Sequence, residues 1–363
     1  MFGMRVLSRP ILRWAAPLAV VLAVGTTGAV ASTAVAEPHL PPTTPEQLLV
    51  DLQSVSVSNL SGTVEQEANL GIPAIPNAGG SDSSEFNSLL TGKHRLGVWY
   101  AEPDKARVAL YGDLGESDLI RNGTDVWTWS SRENKATHRT VSADEPQTAE
   151  PTPSELPKTP QEAANRVLEE IGPTTELTVD SAVTVAGRPA YDLVARPKDK
   201  GSLVTEARLA VDGETHLPLR VEVFAGDTTV FRTAYTEIDF SQPDPKVFEF
   251  TPPPGAEVTE APAETAKSES PGQRGPDQAD EPKVVGEGWT AVVVNKVPAN
   301  LDSTSGSDAE QLRAFLQQLP QVSGSWGTGR LLSGTAFSAI VTDDGRLAIG
   351  SVAPELLYAA LEK

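Results

Sequence analysis

The sequence predicts an α+β fold: one large antiparallel sheet with a single layer of helix on one face, then a smaller α+β unit. Three observations carry this. First, β-rich segments joined by short polar turns recur from Ser61 to Phe240, and consecutive strands with short connections pair antiparallel. Second, only two capped helices accompany them, opening at Thr44 and Thr159. One helical layer can cover only one face of such a sheet. Third, Pro252 to Pro282 is rich in Pro, Glu, Ser, Gln and Gly and has no aromatic residue. It cannot bury enough apolar surface to fold and reads as a disordered tether. Two domains also suit a chain of 363 residues.

Thr44-Pro45-Glu46-Gln47 gives an N-cap, a proline at N1 and a capping-box glutamine, with Leu48, Leu49 and Leu52 as the apolar stripe. Ser61 to Leu70 is a strand with Thr63, Glu65 and Glu67 on one face. Ile72 to Gly92 is a long loop in which Phe86, Leu89 and Leu90 recur at helical spacing. Strands follow at Lys93 to Ala101, Ala106 to Gly112, Ser117 to Arg121, Thr124 to Ser130 and Ala136 to Thr140. Asn122-Gly123 is a hairpin signal, because both residues tolerate the positive φ of a type I′ turn. Trp99, Trp127 and Trp129 lie in this run, and strand alternation puts Trp127 and Trp129 on one face. Two readings stay open for these rings: core, or the lining of an apolar cavity.

Thr159-Pro160-Gln161-Glu162 repeats the capping pattern and opens a helix to Ile171, stopped by Gly172-Pro173. Further strands run from Leu177 to Val185, Ala190 to Arg196, Leu203 to Val211, Leu217 to Phe224 and Thr229 to Phe240. In the second unit, Glu287 to Asn295 reads as a buried strand and Ser307 opens a helix through Phe315 and Leu319. Gly329 to Thr342 and Arg346 to Val352 read as a hairpin across Asp343-Asp344-Gly345, and Pro354 starts a terminal helix.

The formal net charge of −20 argues against nucleic acid and anionic headgroups as partners, since both need a basic surface. Cys is absent, which removes disulfides, thiolate nucleophiles and N-terminal lipidation. Arg5, Arg9 and Arg13 precede an apolar run from Ala15 to Val24. Ala29-Val30-Ala31 and Ala34-Val35-Ala36 both fit a small-x-small cleavage site. This layout predicts export behind a segment, residues 1–36, that is either a cleaved signal or an uncleaved membrane anchor. Four histidines without metal spacing, and no nucleophile elbow or phosphate loop, predict no cofactor, no metal site and no enzymatic activity.

Residues Thr44 to Val258 resemble the LolA-like superfamily of lipoprotein carriers. The resemblance rests on the helix before the first strand, the Pro103-Asp104-Lys105 hairpin and Ile120 to Trp127 around Asn122-Gly123. It rests also on Leu209-Ala210-Val211-Asp212 before Leu217-Pro218-Leu219-Arg220, and on Phe248-Glu249-Phe250 with Pro254-Gly255 and Val258. It implies an unclosed antiparallel β-barrel covered by helices, spanning residues 37–251, with an apolar cavity for lipid or lipoprotein acyl chains. The candidate lining is Trp99, Trp127, Trp129, Tyr191, Leu193, Leu219, Val221 and Phe231. The linker at 252–282 and the second unit at 283–363 are more similar to the MucB/RseB branch, whose members bind an anti-sigma factor. That branch implies an envelope membrane protein as an alternative partner and an apolar patch near Trp326 and Phe337. The Ala, Val, Pro and Gly bias suits an actinobacterial-type, high-GC source.

Overall fold

The computed structural model describes residues 40–53, 55, 57–71, 86–141, 168–169, 171–261, 283–296 and 314–362. The strands of the first sheet are β1 (Asn59–Ala68), β2 (Gly92–Ala101), β3 (Lys105–Tyr111), β4 (Glu116–Asn122), β5 (Asp125–Ser130) and β6 (Lys135–Thr140). They continue with β7 (Thr175–Val185), β8 (Arg188–Pro197), β9 (Glu206–Asp212), β10 (Pro218–Ala225), β11 (Thr228–Asp239) and β12 (Glu257–Glu260). Their order is β12-β6-β5-β4-β3-β2-β1-β11-β10-β9-β8-β7. Two meanders, β2 to β6 and β7 to β11, are therefore joined side by side through β1. Neighbours are antiparallel except β12, which lies parallel to β6.

The sheet has two free ends and does not close. It curls nonetheless. β7 touches β11, although strands four places apart in a flat sheet would be about 19 Å from each other. Helix α1 (Pro45–Gln53) lies on one face, with Leu48 and Leu49 buried. Its predicted cap forms: Gln47 N donates to Thr44 Oγ1 at 3.2 Å. Of the helix expected from Thr159, residues Leu168, Glu169 and Ile171 are helical; its start lies outside the described residues. Phe86 to Leu90 forms a short 3-10 turn on the same face of β1 and β2.

A bulge shapes the joint at β1. Thr63 pairs with Glu237 but Val64 pairs with Tyr235, so Thr236 is the extra residue, and its hydroxyl donates to Thr63 O at 3.1 Å. The bulge lays the Tyr235 ring over Gly62, where an added Cβ would stand 2.9 Å from the ring and 2.8 Å from Glu237 O.

The second sheet contains β13 (Lys283–Val285), β14 (Val292–Lys296), β15 (Gln321–Gly324), β16 (Gly327–Ser333), β17 (Ser338–Thr342) and β18 (Arg346–Gly350), in the order β13-β14-β18-β17-β16-β15. Helix α2 (Pro354–Leu361) covers one face, burying Leu357, Ala360 and Leu361 against Val292, Ile340 and Ala348. The two sheets are in contact. Leu203 N donates to Ser351 O and Thr335 N to Leu70 O, each at 2.7 Å. Trp289 Nε1 donates to Thr175 Oγ1 at 2.8 Å. Val204, Val230 and Ala336 form a small shared core with Leu70, Val223 and Trp289.

Several expectations are corrected. Asn122 is the last paired residue of β4, opposite Asp125, so the turn is Gly123-Thr124 and only Gly123 takes a positive φ, 65°. The segment read as tether from Pro252 contributes β12 to the first sheet. The run read as one strand from Gly329 to Thr342 is two, β16 and β17, broken by Gly334 to Phe337, and β15 adds a further strand. The strand read from Glu287 begins as a 3-10 turn, Gly288–Thr290, and in β14 only Val292 is buried. Trp326 is buried and stacked on Tyr358 with ring centroids 5.7 Å apart, not part of an exposed patch. The capping box at Ser307 lies outside the described residues.

Gly62→Ala is expected to cost about 2 kcal/mol, as overpacking against a fixed ring and backbone does. Urea unfolding followed by tryptophan fluorescence measures this. An unchanged midpoint would refute the close approach of Tyr235 to β1.

Candidate functional site

Residues directly paired across a sheet point to the same side, so the register sorts the side chains of the first sheet into two faces. On the helix-covered inner face, one row runs through Val179, Leu193, Leu209, Val221, Thr233, Gln66 and His94. A parallel row carries Val223, Phe231, Ala68 and Gly92, and another carries Tyr235, Val64, Leu96 and Leu110. Tyr191 pairs with Val211. Leu48 and Leu49 of α1 pack on Leu193 and Val211, with Tyr191, Leu209, Leu177, Val179 and Leu168 around them. The first of these rows is thus apolar from β7 to β10 and polar at Thr233, Gln66 and His94, while the row through Val64, Leu96 and Leu110 stays apolar.

The outer face has two chemistries. Across β2 to β6, one row holds Trp99, Arg107, Ile120, Trp127 and His138. The next holds Gly97, Ala109, Asp118, Trp129 and Ala136. The segment after β11 straps across these rings. Phe248 is buried, and the Phe250 ring lies 5.4 Å from Trp127 and 5.8 Å from Trp129. Arg107 ties the strap down. Its Nη1 donates to Val247 O at 3.2 Å, its Nε to the buried Asp118 at 2.8 Å and its Nη2 to Glu116 at 3.2 Å. Burial and the neighbouring Asp118 raise the Glu116 pKa, against the pull of Arg107.

Across β7 to β11 the outer face is an ion-pair lattice. Buried Asp192 is held by Arg208 at 2.7 Å and Arg220 at 3.1 Å. Glu206 bridges Arg196 and Arg208 at 2.6 and 2.5 Å, and Glu222 bridges Arg220 and Arg232 at 3.0 and 3.1 Å. Charges paired this way leave no apolar surface for a ligand.

The eight candidate residues are not brought together. Tyr191, Leu193, Val221 and Phe231 share the inner face, and Leu219 is fully buried in the adjoining core. Trp99, Trp127 and Trp129 are on the outer face, with Trp99 beside the Arg107 guanidinium at 5.5 Å.

Sequence reasoning missed three buried oxygens without a hydrogen-bond partner, those of Gln66, Ser117 and Tyr235, all in inner-face rows. Gln66 and Tyr235 are each 2 % exposed, and neither Gln66 Oε1 nor the Tyr235 hydroxyl has a hydrogen-bond partner. Leaving such a group unpaired costs about 1–3 kcal/mol. The signal was present for Gln66, which falls in the Val64 to Ala68 frame rather than the Glu65, Glu67 frame. Gln66 Nε2 is committed to Leu89 O at 2.6 Å. Ser88 Oγ meets His94 Nδ1 at 3.4 Å, and His94 Nε2 meets Thr91 O at 2.6 Å. These contacts pin the 3-10 turn to the sheet, with a backbone carbonyl rather than a carboxylate behind the imidazole. Among the described residues no cluster of acidic and His side chains could hold a metal, and no helix is long and apolar enough to cross a membrane.

Arg107→Met leaves Asp118 buried without its cation and is expected to cost roughly 3 kcal/mol. Adding Asp118→Asn should recover part of it in the same urea titration, and equal losses for the single and double variants would contradict the pairing. His138 makes the second prediction. Burial under Trp127 lowers its pKa, but hydrogen bonds to Asp125 (2.9 Å) and Glu260 (2.8 Å) outweigh this and hold it above its ordinary 6.5. Its contribution is complete below the unfolded pKa and is lost as pH rises through the folded one. Amide protection at Val258 to Glu260 should fall as pH rises above 6.5 and stay flat in His138→Gln. Equal pH dependence in both proteins would show that His138 does not hold β12.

No known family matches the sequence, and no curated protein does. Among solved structures, the MucA/MucB complex of Pseudomonas aeruginosa aligns with 87% of this chain and 94% of that one, at 13% identity and a TM-score of 0.42. An uncharacterized conserved protein from Thermus thermophilus aligns over 60% of this chain and 98% of its own, at 13% identity and 0.34. A LolA superfamily protein from Nitrosomonas europaea aligns over 58% and 99%, at 10% identity and 0.22. The chain is thus similar to MucB and LolA superfamily structures, at identities too low to carry ligand or partner across.

Proposed function

We propose that this protein is an exported, non-enzymatic binder of lipid or lipoprotein acyl chains, serving carriage or sensing in the cell envelope. The first sheet is the binding unit, and its inner face takes the chain. One observation carries the reading: the inner row Val179, Leu193, Leu209 and Val221 is continuously apolar across four strands. The outer face is filled by Phe248 and Phe250 on one half and by ion pairs on the other. The lining is Tyr191, Leu193, Leu219, Val221 and Phe231, and the tryptophans serve the strap instead. Affinity comes from taking methylenes out of water, at about 0.8 kcal/mol for each CH₂. Such binding needs no catalytic group and no cofactor.

A second reading, an interaction protein for an envelope membrane protein, rests on the small sheet. Val284, Val293 and Ile349 are directly paired on the face away from α2 and are each 38 % exposed. An apolar row of this kind suits a protein partner.

Native mass spectrometry of protein purified from its own host, with solvent extraction, tests the first reading. A stoichiometric adduct that extracts as acyl lipid is expected. Val221→Glu should reduce uptake of a fluorescent fatty acid by about a hundredfold, because it buries a charge in the lining. Trp127→Ala should leave uptake intact. A clean apo mass with no uptake by the wild type would overturn the reading. Loss of a co-purifying membrane protein in Val293→Lys, with uptake unchanged, would favour the second.

A further inference from the structure

The lining of the inner face leads to the second unit. On β8, Tyr191 and Leu193 step towards Pro197, and on β10, Leu219, Val221 and Val223 step towards Ala225. Both series run to the same end of the sheet, because alternate strands of an antiparallel sheet point the same way. At that end Thr175, the first residue of β7, stands opposite Pro197, Thr228 opposite Ala225, and Ala68, the last residue of β1, opposite Phe231. Thr175 is buried and keeps the side of Leu177 and Val179, so it belongs to the inner face. The second unit meets this end from β7 to β1. Trp289 Nε1 donates to Thr175 Oγ1 at 2.8 Å. Leu203 N, between β8 and β9, donates to Ser351 O, and Thr335 N donates to Leu70 O just beyond β1. Val204, Val230 and Ala336 form the apolar core of this junction, and Trp289, Val223 and Ala225 pack on it.

Gly288, at a φ of 53°, has no side chain where one would collide with Thr174, and so the 3-10 turn lies against the start of β7. The indole that follows is thereby set across the end of the curled sheet, from Thr175 on β7 to the core that Val223 and Val230 share with Ala336. We infer that the second unit is the end wall of the acyl-binding face and that Trp289 sets how long a chain the face accepts. This rests on the acyl-chain reading above and deepens it. An indole has one polar atom, and Thr175 takes it, so the rest of the ring is carbon, as are the side chains of Val204, Val230 and Ala336 beside it. Such a wall suits the end of an acyl chain, which has no hydrogen bond to make. Each methylene that the face covers tightens binding by about fourfold. Once the chain end reaches the indole, further methylenes find no apolar surface to cover, and affinity stops rising with length.

The test titrates the full-length protein with acyl amides that carry dansyl at the head and rise in length from octanoyl to behenoyl. For the wild type, affinity is expected to rise by about fourfold for each methylene and then to level off within the series. In Trp289→Ala the plateau should move to longer chains, with the longest probe bound about tenfold more tightly than by the wild type. Protection of the Leu203 and Thr335 amides, which donate across the junction, reports whether the second unit stays docked in that variant. The plateau shifts in either case, because an undocked unit is no wall. A plateau at the same length in both proteins, or affinity that climbs through behenoyl in the wild type, would overturn the wall and leave the acyl-binding face standing. Failure of every probe to bind the wild type would overturn the underlying reading as well.

Discussion

The pairing of β1 with β11 is the joint on which the rest of the molecule depends. Within each meander, β2 to β6 and β7 to β11, every strand pairs with its neighbour in sequence. β1 is hydrogen-bonded to both at once, and its pairing with β11 joins residues more than a hundred positions apart, so its closure entropy must be offset by burial. The burial is there: Leu60 and Val64 of β1 lie in one core with Leu96, Val98, Leu110, Leu219 and Tyr235 from both meanders. The bulge at Thr236 then sets which way the sheet bends, since a bulge adds local twist. The curl that brings β7 against β11 encloses the inner face under α1.

Once the sheet is curled, its outer face must be stabilised without a second layer of helix, and the two halves do this differently. The β2 to β6 half uses its own chain as a cover, with Phe248 and Phe250 over Trp127 and Trp129. The β7 to β11 half uses charge. Cross-strand alternation of Arg208, Glu222, Arg232, Glu67 and Lys93 in one register row keeps each arginine stem flat on the sheet and its head paired. Asp192 and Asp212 are the buried anchors of this half. Burial opposes ionisation of Asp212, but Arg188 and the Thr215 amide and hydroxyl outweigh it and hold the carboxyl below its usual range. These devices leave the outer face filled, by paired charges on one half and by the aromatic strap on the other.

Much of this was legible in the sequence. Period-2 alternation located nearly every strand of the first sheet, and the Thr44 box placed α1 with its cap. What was not legible were facts of pairing. Trp127 and Trp129 were seen to share a face, but alternation cannot say which face is inner. That follows from the register, which runs from Trp127 through Ile120, Arg107 and Trp99 to Ser61, on the face of β1 opposite Val64. β12 was hidden because Glu257 to Glu260 has no apolar alternation and is held at the sheet edge by Glu260 to His138 and by Asn134 Nδ2 donating to Gly255 O at 2.8 Å. The break between β16 and β17 was signalled by Ser333-Gly334-Thr335, but the alternation on either side masked it. Gln66 sits between two glutamates, but its frame, shared with Val64 and Ala68, makes it a polar residue on a largely apolar face.

The position of the small sheet gives these facts a common consequence. It docks at one end of the inner-face rows, where Thr335 meets Leu70 and Gly71. There it walls a cleft of about 380 Å³ with Ala68, Asn69, Thr91 and Gly92. Ala68 and Gly92 are the next inner-face pair beyond Gln66 and His94, a step of about 7 Å along the strand. The polar end of the row therefore lies next to the junction of the two sheets, not at the far end of the sheet. Leu70, two residues beyond β1, accepts from Thr335 N of the second unit, so one short stretch of chain carries both the polar end of the inner row and a contact between the two sheets.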